Sequence, residues 1–412
     1  MPSPEFFQVL PVSDALKLLD AHWQPQPETE SIAAADALDR TLAANIHSPE
    51  ELPAFRKSTV DGYALRAADT FGASQSLPAF LQVNGELKMG EAPRLSVRAG
   101  EALLIHTGGM LPGGADAVVM VEYVQVAGAN EIEVLRAVAP GENVIQAGED
   151  VAANSLVLPR GKRLRPQDIG GLLAVGIDRI AVLRSPRVGI LSCGDELLPP
   201  EAELVPGKVR DINAYTLSAL AEKHGAQPIR FGIASDNFAD YQRRAAAGFA
   251  ACDILLLSAG SSVSARDYTR DVIKGLGQPG ILQHGLATKP GKPTIIALCD
   301  NKPVIGLPGN PVSALLVARQ LLPSMIARYL GQALELPRMV RARLSQRVAS
   351  AAGREDWLAV RLEQDADGEL LAQPIFGKSN LIFTLVSADG LLRLPLNTGG
   401  FDSGSLVDIV LF

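Results

Sequence analysis

Between residues 186 and 332, continuous apolar runs alternate with segments whose apolar residues recur at helical spacing. Ile254–Leu257 is one such run, and small residues follow it at once. A short apolar run bounded by turn residues is typical of a strand buried on both faces of a parallel sheet. Segments such as NAYTLSALAEKHG and FADYQRRAAAGFA, which have the spacing of amphipathic helices, separate these runs. The alternation predicts a three-layer α/β domain with a mainly parallel sheet.

Short strand-like runs replace this pattern on both sides of that domain. From about Phe80 to Leu158, runs such as FLQVNGEL and ADAVVMVEYVQV are separated by turn residues at short intervals. This spacing is typical of an all-β, barrel-like unit and not of βαβ units. After Leu336-Pro337, the runs MVRARLSQRVAS, DWLAVRLEQ and SLVDIVLF predict a second small all-β domain.

Three further segments have the apolar spacing of helices. Ser13 can cap a short helix through Leu19, and Ser31–Asn45 places four apolar residues at helical spacing. Asp168–Val175 is expected to form a capped helix that leads into a strand. In the α/β domain, Asn213 is expected to cap the helix NAYTLSALAEKHG.

Composition and charge narrow the functional classes. A net charge of −7 argues against a protein that binds nucleic acid or an anionic membrane, although it does not exclude a local basic pocket. The three cysteines are far apart and lack CxxC spacing, so they indicate neither a disulfide framework nor a zinc site. The N-terminal segment lacks a basic region followed by an apolar one, and no apolar stretch is long enough to cross a bilayer. We therefore expect a soluble, cytoplasmic protein.

Polar and charged residues follow the predicted strands of the α/β domain. They lie in CGDELLPP, ASDN, SAGSSVSARD, KPGKP and GLPGNPVSA. Because parallel strands end at one edge of a sheet, we expect these segments to meet in one site. Carboxylates without His or Cys clusters suit a hard cation such as Mg²⁺, while the two lysines and the Gly-rich loops suit an anion. Asn310-Pro311 also resembles an anion site at a helix N-terminus, so the residues predict metal-assisted handling of a phosphorylated or oxyanionic ligand.

Motifs along nearly the whole chain resemble those of one known family. In chain order they are FRKSTVDGYAL, HTGGMLPGGADAVV, PGENVIQAGEDV, LRPQDIG, ILSCGDELL, GKVRDIN, SAGSSVSARDYT, KPGKP and GLPGNPVSA. Together they resemble the motifs of the molybdopterin molybdenumtransferases, the MoeA family, which is related to the E-domain of gephyrin.

The resemblance implies a function and a fold in four parts. Members of the family insert molybdate into adenylylated molybdopterin, and Mg²⁺ assists the hydrolysis and the release of AMP. The implied parts are a discontinuous linker domain of helix and strand (1–50 and 155–185), a β-rich insert domain (51–154), an α/β molybdopterin-binding domain (186–332) and a C-terminal β-barrel domain (333–412). The family forms homodimers, in which each cleft is lined by the insert of one subunit and the α/β domain of the other. Further partners would be the molybdopterin adenylyltransferase and acceptor molybdoenzymes.

The matching motifs also imply site residues. The implied catalytic carboxylates are Asp61, Glu196, Asp236 and Asp267. Glu196 and Asp236 would also serve the metal. The implied substrate-binding residues are Thr107, Asp150, Gly260, Ser262, Lys289, Lys292, Pro308, Pro311 and Ser379. Asp61, Thr107 and Asp150 would belong to the insert side, Ser379 to a loop of the last domain, and the others to the α/β side.

Two segments depart from the family pattern, and alternatives stay open. The family usually has a Gly-Gly pair followed by Val-Ser or Thr-Ser at Ala259 to Ser262, and this chain departs from it at Ala259 and Ser261. The family also often has Thr in place of Cys193. An Ala is unfavourable at such a position where a positive φ is required. The alternatives are a molybdopterin adenylyltransferase, which would need neither the insert nor the last domain, and a non-catalytic relative that binds molybdopterin or a protein partner. The resemblance implies molybdate as the oxyanion, and the sequence itself does not distinguish molybdate from tungstate.

Overall fold

The computed structural model of the protein describes residues 8–259, 263–334 and 336–412, and within 263–267 it describes the backbone alone. The first helix of the described residues is α1 (Val12–His22), whose Ala15 and Leu19 pack into the core of the α/β unit. Three short strands follow, β1 (Thr29–Ala33), β2 (Thr41–Leu42) and β3 (Ile46–His47).

The helix expected over Ser31–Asn45 is wrong. These residues form the end of β1, a short 3-10 turn (Ala34–Asp36) and β2. Every residue of β1 pairs antiparallel with a later strand that ends at Leu183. Pairing with a distant part of the chain therefore outweighs the helical spacing of this short segment.

The next part of the chain is a β-rich unit, as its short strand-like runs predicted. Its strands are β4 (Lys57–Ser58), β5 (Gly62–Leu65), β6 (Ala79–Glu86), β7 (Glu101–Ile105), β8 (Ala117–Met120), β9 (Val124–Gly128), β10 (Glu131–Val134) and β11 (Val144–Ile145). Six of them form a sheet in the order β8-β5-β7-β6-β10-β9, and β4 pairs with β11. Alternate residues of β7 enter two apolar clusters, Ala102 one and Leu103 the other, so both faces of the sheet are covered.

After the β-rich unit the chain returns to the strands that preceded it. Strand β12 (Leu156–Leu158), helix α2 (Pro166–Ala174) and strand β13 (Arg179–Leu183) follow one another. Strand β13 lies between β1 and β2, and β12 pairs with β3. Two separate parts of the chain therefore build one unit, as a discontinuous linker requires.

The central part is the α/β domain. Its elements are β14 (Arg187–Cys193), β15 (Leu197–Leu198), β16 (Val209–Arg210), α3 (Asn213–Lys223), β17 (Gln227–Ala234), α4 (Phe238–Ala251), β18 (Ile254–Ala259), α5 (Val263–Lys274), β19 (Pro279–His284), β20 (Thr288–Lys289), β21 (Ile295–Cys299), β22 (Lys302–Leu307) and α6 (Pro311–Tyr329). Six strands form one sheet in the order β17-β14-β18-β22-β21-β19. The first four run parallel, and β21 runs antiparallel to β22. Strand β19 is antiparallel to β21 and so runs in the direction of the first four.

Strand β18 lies inside this sheet and is buried along its whole length. Its Ile254 and Leu256 face one cluster with α1, α3 and α6, and its Leu255 and Leu257 face another with α4 and α5. A strand covered on both faces has no polar side to alternate with, which explains its continuous apolar run. The predicted three-layer α/β domain with a mainly parallel sheet is confirmed.

The last part of the chain is a β-barrel, which confirms the expected C-terminal fold. Its elements are β23 (Met339–Leu344), β24 (Val348–Ala349), β25 (Glu355–Gln364), β26 (Leu370–Pro374), α7 (Phe383–Val386), β27 (Gly390–Leu394), β28 (Gly400–Phe401) and β29 (Leu406–Leu411). Five strands close into a ring in the order β25-β26-β23-β29-β27, and β27 pairs back with β25. Strand β20 of the preceding unit adds to β25, so Lys289 lies beside Asp356.

Within the described part of the chain, no helix is both long enough and apolar enough to cross a membrane. The domain boundaries expected from the sequence stay predictions. Neighbouring domains pack against each other, and these contacts do not show at which residue one domain ends and the next begins. Helix α1 illustrates this point, since it precedes the linker strands but packs on the α/β core.

Candidate functional site

The carboxyl ends of four parallel strands carry most of the expected α/β site residues. In the sheet order, Asp236 follows β17, Glu196 follows β14, the segment with Gly260 follows β18, and Pro308 follows β22. The parallel register, in which Cys193 pairs with both Ala234 and Ala259, brings these ends together. Gly260 and Ser262 lie outside the described residues, and so does the side chain of Asp267.

Three carboxylates gather around Cys193 at this edge. The backbone amide of Asp236 donates to Oδ1 of Asp195 at 3.1 Å, and Sγ of Cys193 lies 3.6 Å from Oδ1 of Asp236. The carboxylate of Glu196 folds back over Gly194, where a Cβ would lie 2.5 Å from its Oε2. The structure therefore brings Glu196 and Asp236, from different strand ends, to one thiol.

The chemistry of Cys193 depends on these neighbours. Burial raises the pKa of its thiol to about 12, and the negative charges of Asp236, Glu196 and Asp195 add to that effect. The thiol therefore stays protonated at neutral pH and can donate to Asp236 or to the carbonyl of Ser235, 3.5 Å away.

The carboxylates offer oxygen ligands for a hard cation. Among the described residues, no group of three or more His, Cys, Asp or Glu side chains is arranged to hold a metal ion. Mg²⁺ is commonly bound through one or two carboxylates and completed by waters and substrate phosphates. Glu196 and Asp236 supply two carboxylates, which are donors of the type that Mg²⁺ prefers. Such a site does not require a closed cage of protein ligands.

A cavity of about 1130 Å³ lies between the α/β domain and the barrel. Lys289, Lys292, Pro308 and Ser379, all expected at the site, line it, whereas Pro311 begins helix α6 and is not in the lining. Its described lining residues come from residue 9, from 286–316 and from 348–394.

The charges in this cavity are mainly positive. Its described charged lining residues are Lys289, Lys292, Arg354, Asp356 and Lys378. Nε of Arg354 donates to Oδ1 of Asp356 at 2.9 Å, so the acidic residue of the described lining is already paired with a cationic one. A protein with a net charge of −7 thus has a locally cationic cavity. Arg354 and Lys378 were missed by sequence reasoning, because neither lies in a motif or follows a strand of the α/β sheet.

Packing at Gly291 places the two lysines of the KPGKP turn. Gly291 has φ +115°, and a Cβ there would lie 2.0 Å from Cγ2 of Val317 in helix α6. Only glycine lets the turn approach the helix this closely. The turn is also tied by the hydroxyl of Thr294, which donates to the carbonyl of Gly291 at 2.7 Å. Lys289 and Lys292 remain exposed on either side of the glycine.

Helix α6 begins against the loop of the barrel that carries Ser379. As expected, Asn310 precedes the helix and Pro311 is its first residue. Nδ2 of Asn310 donates to Oγ of Ser379 at 3.0 Å, and the amide of Val312 donates to the carbonyl of Ser379 at 3.0 Å. Because Ser379 already engages donors at this helix N-terminus, the cationic side chains are the stronger candidates for binding an anion here.

The expected residues of the insert form a separate group. Oδ1 of Asp61 accepts the backbone N–H of Thr107 at 2.9 Å, which lowers the pKa of Asp61. His106 lies between Asp61, 3.5 Å from its Nδ1, and Glu86, 2.9 Å from its Nε2. The contact with Glu86, more than that with Asp61, raises the pKa of His106. Asp61 and Thr107 are therefore brought together, and both are exposed.

Asp150 lies in another loop of the insert. Its amide donates to the carbonyl of Leu52 at 3.0 Å, and its side chain is exposed. Within the described residues, neither Asp150 nor the pair of Asp61 and Thr107 lines the cationic cavity. Within one subunit, the expected site residues of the insert therefore lie outside the cationic cavity.

Sequence reasoning misplaced Asn213. It was expected to cap α3, but the cap position is Ile212, and Asn213 is the first helical residue. Its amide nitrogen donates to Oγ of Ser258 at 2.8 Å and to the carbonyl of Gly309 at 2.9 Å. No local signal distinguishes a cap from such a long-range contact, since both require a polar residue at the start of a helix.

Comparisons with known proteins cover nearly all of the chain. Residues 10–176 match the MoeA N-terminal region (domain I and II), residues 189–328 a probable molybdopterin binding domain, and residues 341–412 the MoeA C-terminal region (domain IV). The chain is 33% identical to the molybdopterin molybdenumtransferase of Haemophilus influenzae over 93% of both chains. It is 32% identical to that of Bacillus subtilis, over 98% of this chain and 94% of the relative.

A solved structure shows the same fold. The molybdopterin biosynthesis MoeA protein of Pyrococcus horikoshii superposes with a TM-score of 0.82 at 31% identity, covering 98% of this chain and 100% of the other. A second structure of a Pyrococcus MoeA protein gives a TM-score of 0.84 at 36% identity, covering 98% of this chain and 99% of the other.

Proposed function

The chain belongs to the MoeA family of molybdopterin molybdenumtransferases, and we propose that it inserts molybdate into adenylylated molybdopterin with Mg²⁺-dependent release of AMP. It is thus a transferase of molybdenum cofactor biosynthesis. The observation that carries the specific reaction is the cationic cavity between the α/β domain and the barrel. Molybdate and the pyrophosphate group of the adenylylated cofactor are both anions, and an anionic protein needs a local cationic site to hold them.

The lysines of the cavity would bind the two anions. Lys289 and Lys292 lie in one turn with Gly291, and both line the cavity. Ser379 lines the same cavity, in the loop that docks on helix α6. Holding both reactants between fixed walls would lower the barrier mainly by orientation and by stabilising negative charge.

Glu196 and Asp236 would hold the divalent cation at the edge of the sheet. When bound, Mg²⁺ would offset the charge of the phosphates and make their oxygens better leaving groups. Two hydrogen bonds hold Asp236 in place. Its backbone amide donates to the carboxylate of Asp195, and the thiol of Cys193 donates to the carboxylate of Asp236. In the hydrolysis, water would attack the phosphorus on the molybdopterin side of the pyrophosphate. The bond from that phosphorus to the bridging oxygen would break, AMP would leave with the bridging oxygen, and a carboxylate of this edge would accept the proton of the water.

The insert residues would act in the cleft of a partner subunit. The described lining of the cavity contains no residue of the insert, yet the backbone of Thr107 holds Asp61 in an exposed position. A homodimer in which each insert reaches the neighbouring cavity would combine the two groups, and cyclic dimers are the commonest oligomers.

Subunit mixing tests this arrangement. Asp61→Ala and Asp236→Ala should each be inactive as pure proteins, but their heterodimer contains one intact site if the cleft is shared. Random mixing of equal amounts should therefore restore about a quarter of the wild-type activity. No recovery, with heterodimers shown to form, would place Asp61 and Asp236 in the same subunit's site or outside the site.

The proposed reaction is tested by three incubations of the purified protein. Adenylylated molybdopterin with molybdate and Mg²⁺ should yield AMP and molybdenum cofactor. Tight binding of the nucleotide without AMP would favour a non-catalytic relative, and formation of adenylylated molybdopterin from ATP and molybdopterin would favour an adenylyltransferase. Replacing molybdate with tungstate in the first incubation distinguishes the two oxyanions.

A charge-matched pair of variants then tests the metal site. Asp236→Asn should abolish AMP release, while the thermal unfolding midpoint stays near that of the wild type. Asp271→Asn removes an exposed carboxylate of α5 that pairs with Lys274 at 3.1 Å, and it should leave both properties unchanged. A large loss of stability in Asp236→Asn would show that Asp236 is structural.

A further inference from the structure

The side chain of Asn213 links two strand ends beneath the proposed site. It is 7% exposed, and its Nδ2 donates both to Oγ of Ser258, near the end of β18, and to the carbonyl of Gly309, after β22. Its Oδ1 is also buried and accepts no hydrogen bond from the described residues. A buried polar atom without a partner is unfavourable, so the arrangement is maintained by the two bonds that the nitrogen donates.

These contacts fix the orientation of the amide. The carbonyl of Gly309 can only accept, so the nitrogen of Asn213 must face it. The reversed amide would place two acceptors together at 2.9 Å. The Asn213 side chain therefore acts as a donor clamp that ties the start of α3 to the loop that follows β22.

The clamped loop continues into the wall of the cavity. Pro308 precedes Gly309 and lines the cavity, and Asn310 follows it and donates to Ser379. A continuous set of hydrogen bonds thus runs from Ser258 through Asn213 and the loop at Gly309 to the barrel.

We propose that Asn213 is a positioning residue for the reaction, which holds the loop at Gly309, and with it the Pro308–Ser379 side of the cavity, against the start of helix α3. The inference rests on the proposed function, because it concerns one side of that ligand site. Asn213 acts through Gly309 and does not touch the reacting atoms. A displacement of about 1 Å between groups that hold two reactants can lower the rate by about 100-fold, so a single clamp can control catalysis.

Three variants separate positioning from fold stability. Asn213→Ala removes the clamp, and we expect kcat to fall by about tenfold or more with KM for adenylylated molybdopterin within about threefold. Asn213→Asp has nearly the same shape but, when ionised at pH 8, faces the carbonyl of Gly309 with an acceptor, so its kcat should fall further than that of Asn213→Ala. Ser258→Ala removes a buried bond of the same amide but leaves the bond to Gly309, so kcat should stay within about threefold of the wild type.

A structural role predicts the opposite order. Asp is favoured over Ala in the first turn of a helix, where its charge complements the helix dipole. If Asn213 merely supports α3, Asn213→Asp should be more stable and more active than Asn213→Ala, and this result would overturn the proposal. An equal loss in Ser258→Ala and Asn213→Ala would overturn it as well. If Asn213→Ala does not fold, the comparison of Asn213→Asp with Ser258→Ala decides in the same way.

Hydrogen exchange gives a readout that does not require activity. Without the clamp, the amides of peptides covering 308–313 and 376–382 should exchange faster in Asn213→Ala than in Ser258→Ala. Unchanged exchange in both variants would contradict the clamp. An inactive wild type with the expected exchange pattern would instead contradict the proposed function and leave the clamp supported.

Discussion

Replacing Gly291 with Ala should disturb both the packing of helix α6 and the position of Lys289 and Lys292. Gly291 has φ +115°, a region that L residues rarely adopt, and a Cβ added there would lie 2.0 Å from Cγ2 of Val317. Val317 is 1% exposed and lies in the core of the α/β domain, so it has little room to move. The new methyl group must therefore displace either the turn or the helix.

The magnitude follows from two separate effects. Unfavourable backbone geometry costs about 1–3 kcal/mol, and overpacking of a tight core costs about 1–3 kcal/mol. Together they lower the free energy of unfolding by about 2–6 kcal/mol. Gly225→Ala is the matched control, because Gly225 has φ +84° in the same domain but no atom within 4 Å of an added Cβ. It should show the backbone effect alone, about 1–2 kcal/mol.

Scanning calorimetry measures the difference, and steady-state kinetics measures its consequence at the site. The unfolding midpoint of the α/β domain should fall by several degrees more in Gly291→Ala than in Gly225→Ala. KM for molybdate should rise only in Gly291→Ala, since only that change moves Lys289 and Lys292.

The double variant Gly291→Ala/Val317→Ala identifies the cause. Without Cγ2, the nearest Val317 atom would be Cβ at 3.6 Å, an ordinary contact. The double variant should therefore lose less stability than the sum of the two single variants, by about 1–3 kcal/mol. Additive losses, or equal midpoints for Gly291→Ala and Gly225→Ala, would refute the close packing of turn and helix.

Three further predictions concern single groups at the expected site. The pKa of His106 is raised mainly by Glu86 and also by Asp61, so the ion pairs of His106 are fully formed below the usual His pKa and are lost as the pH rises through the raised pKa. We expect the activity to fall over that pH range in a pH–rate profile. His106→Gln should make this fall in activity smaller. With a pKa of about 12, the thiol of Cys193 should resist alkylation at pH 8 until the protein is denatured, and rapid labelling of the native protein, followed by mass spectrometry, would contradict its burial. Ala259 is the last residue of β18 and does not have a positive φ. Ala259→Gly should therefore lower the free energy of unfolding by roughly 0.5–1 kcal/mol and leave the activity the same or higher. A loss of activity would show that the methyl group of Ala259 is needed.

The fold of the α/β domain could be predicted because its local pattern and its final environment agree. The continuous apolar run of β18 reflects burial on both faces, and the helices between strands have one apolar face each. Residues 31–45 show the opposite case, since their helical spacing conflicts with pairing to β13. Strand pairing over a long distance in the chain is decided by packing that local spacing does not report.

The candidate site could be predicted only where neighbouring strands of one sheet position its residues. Residues after parallel strands were expected at one edge, and Glu196 and Asp236 meet there beside Cys193. Contacts between different domains were not predictable, for example that of Asn310 with Ser379, because they depend on how the barrel docks on helix α6. The departure at Ala259 is explained by the structure, since the residue ends an extended strand where an Ala is acceptable.

The most direct test of the account is the ratio of AMP released to molybdenum incorporated in one reaction. Purified protein would be incubated with adenylylated molybdopterin, molybdate and Mg²⁺, AMP would be measured by chromatography, and cofactor-bound molybdenum by mass spectrometry of the metal. We expect one AMP for each molybdenum atom, and neither product when Mg²⁺ is chelated. AMP release without molybdenum incorporation, or incorporation without AMP, would contradict it.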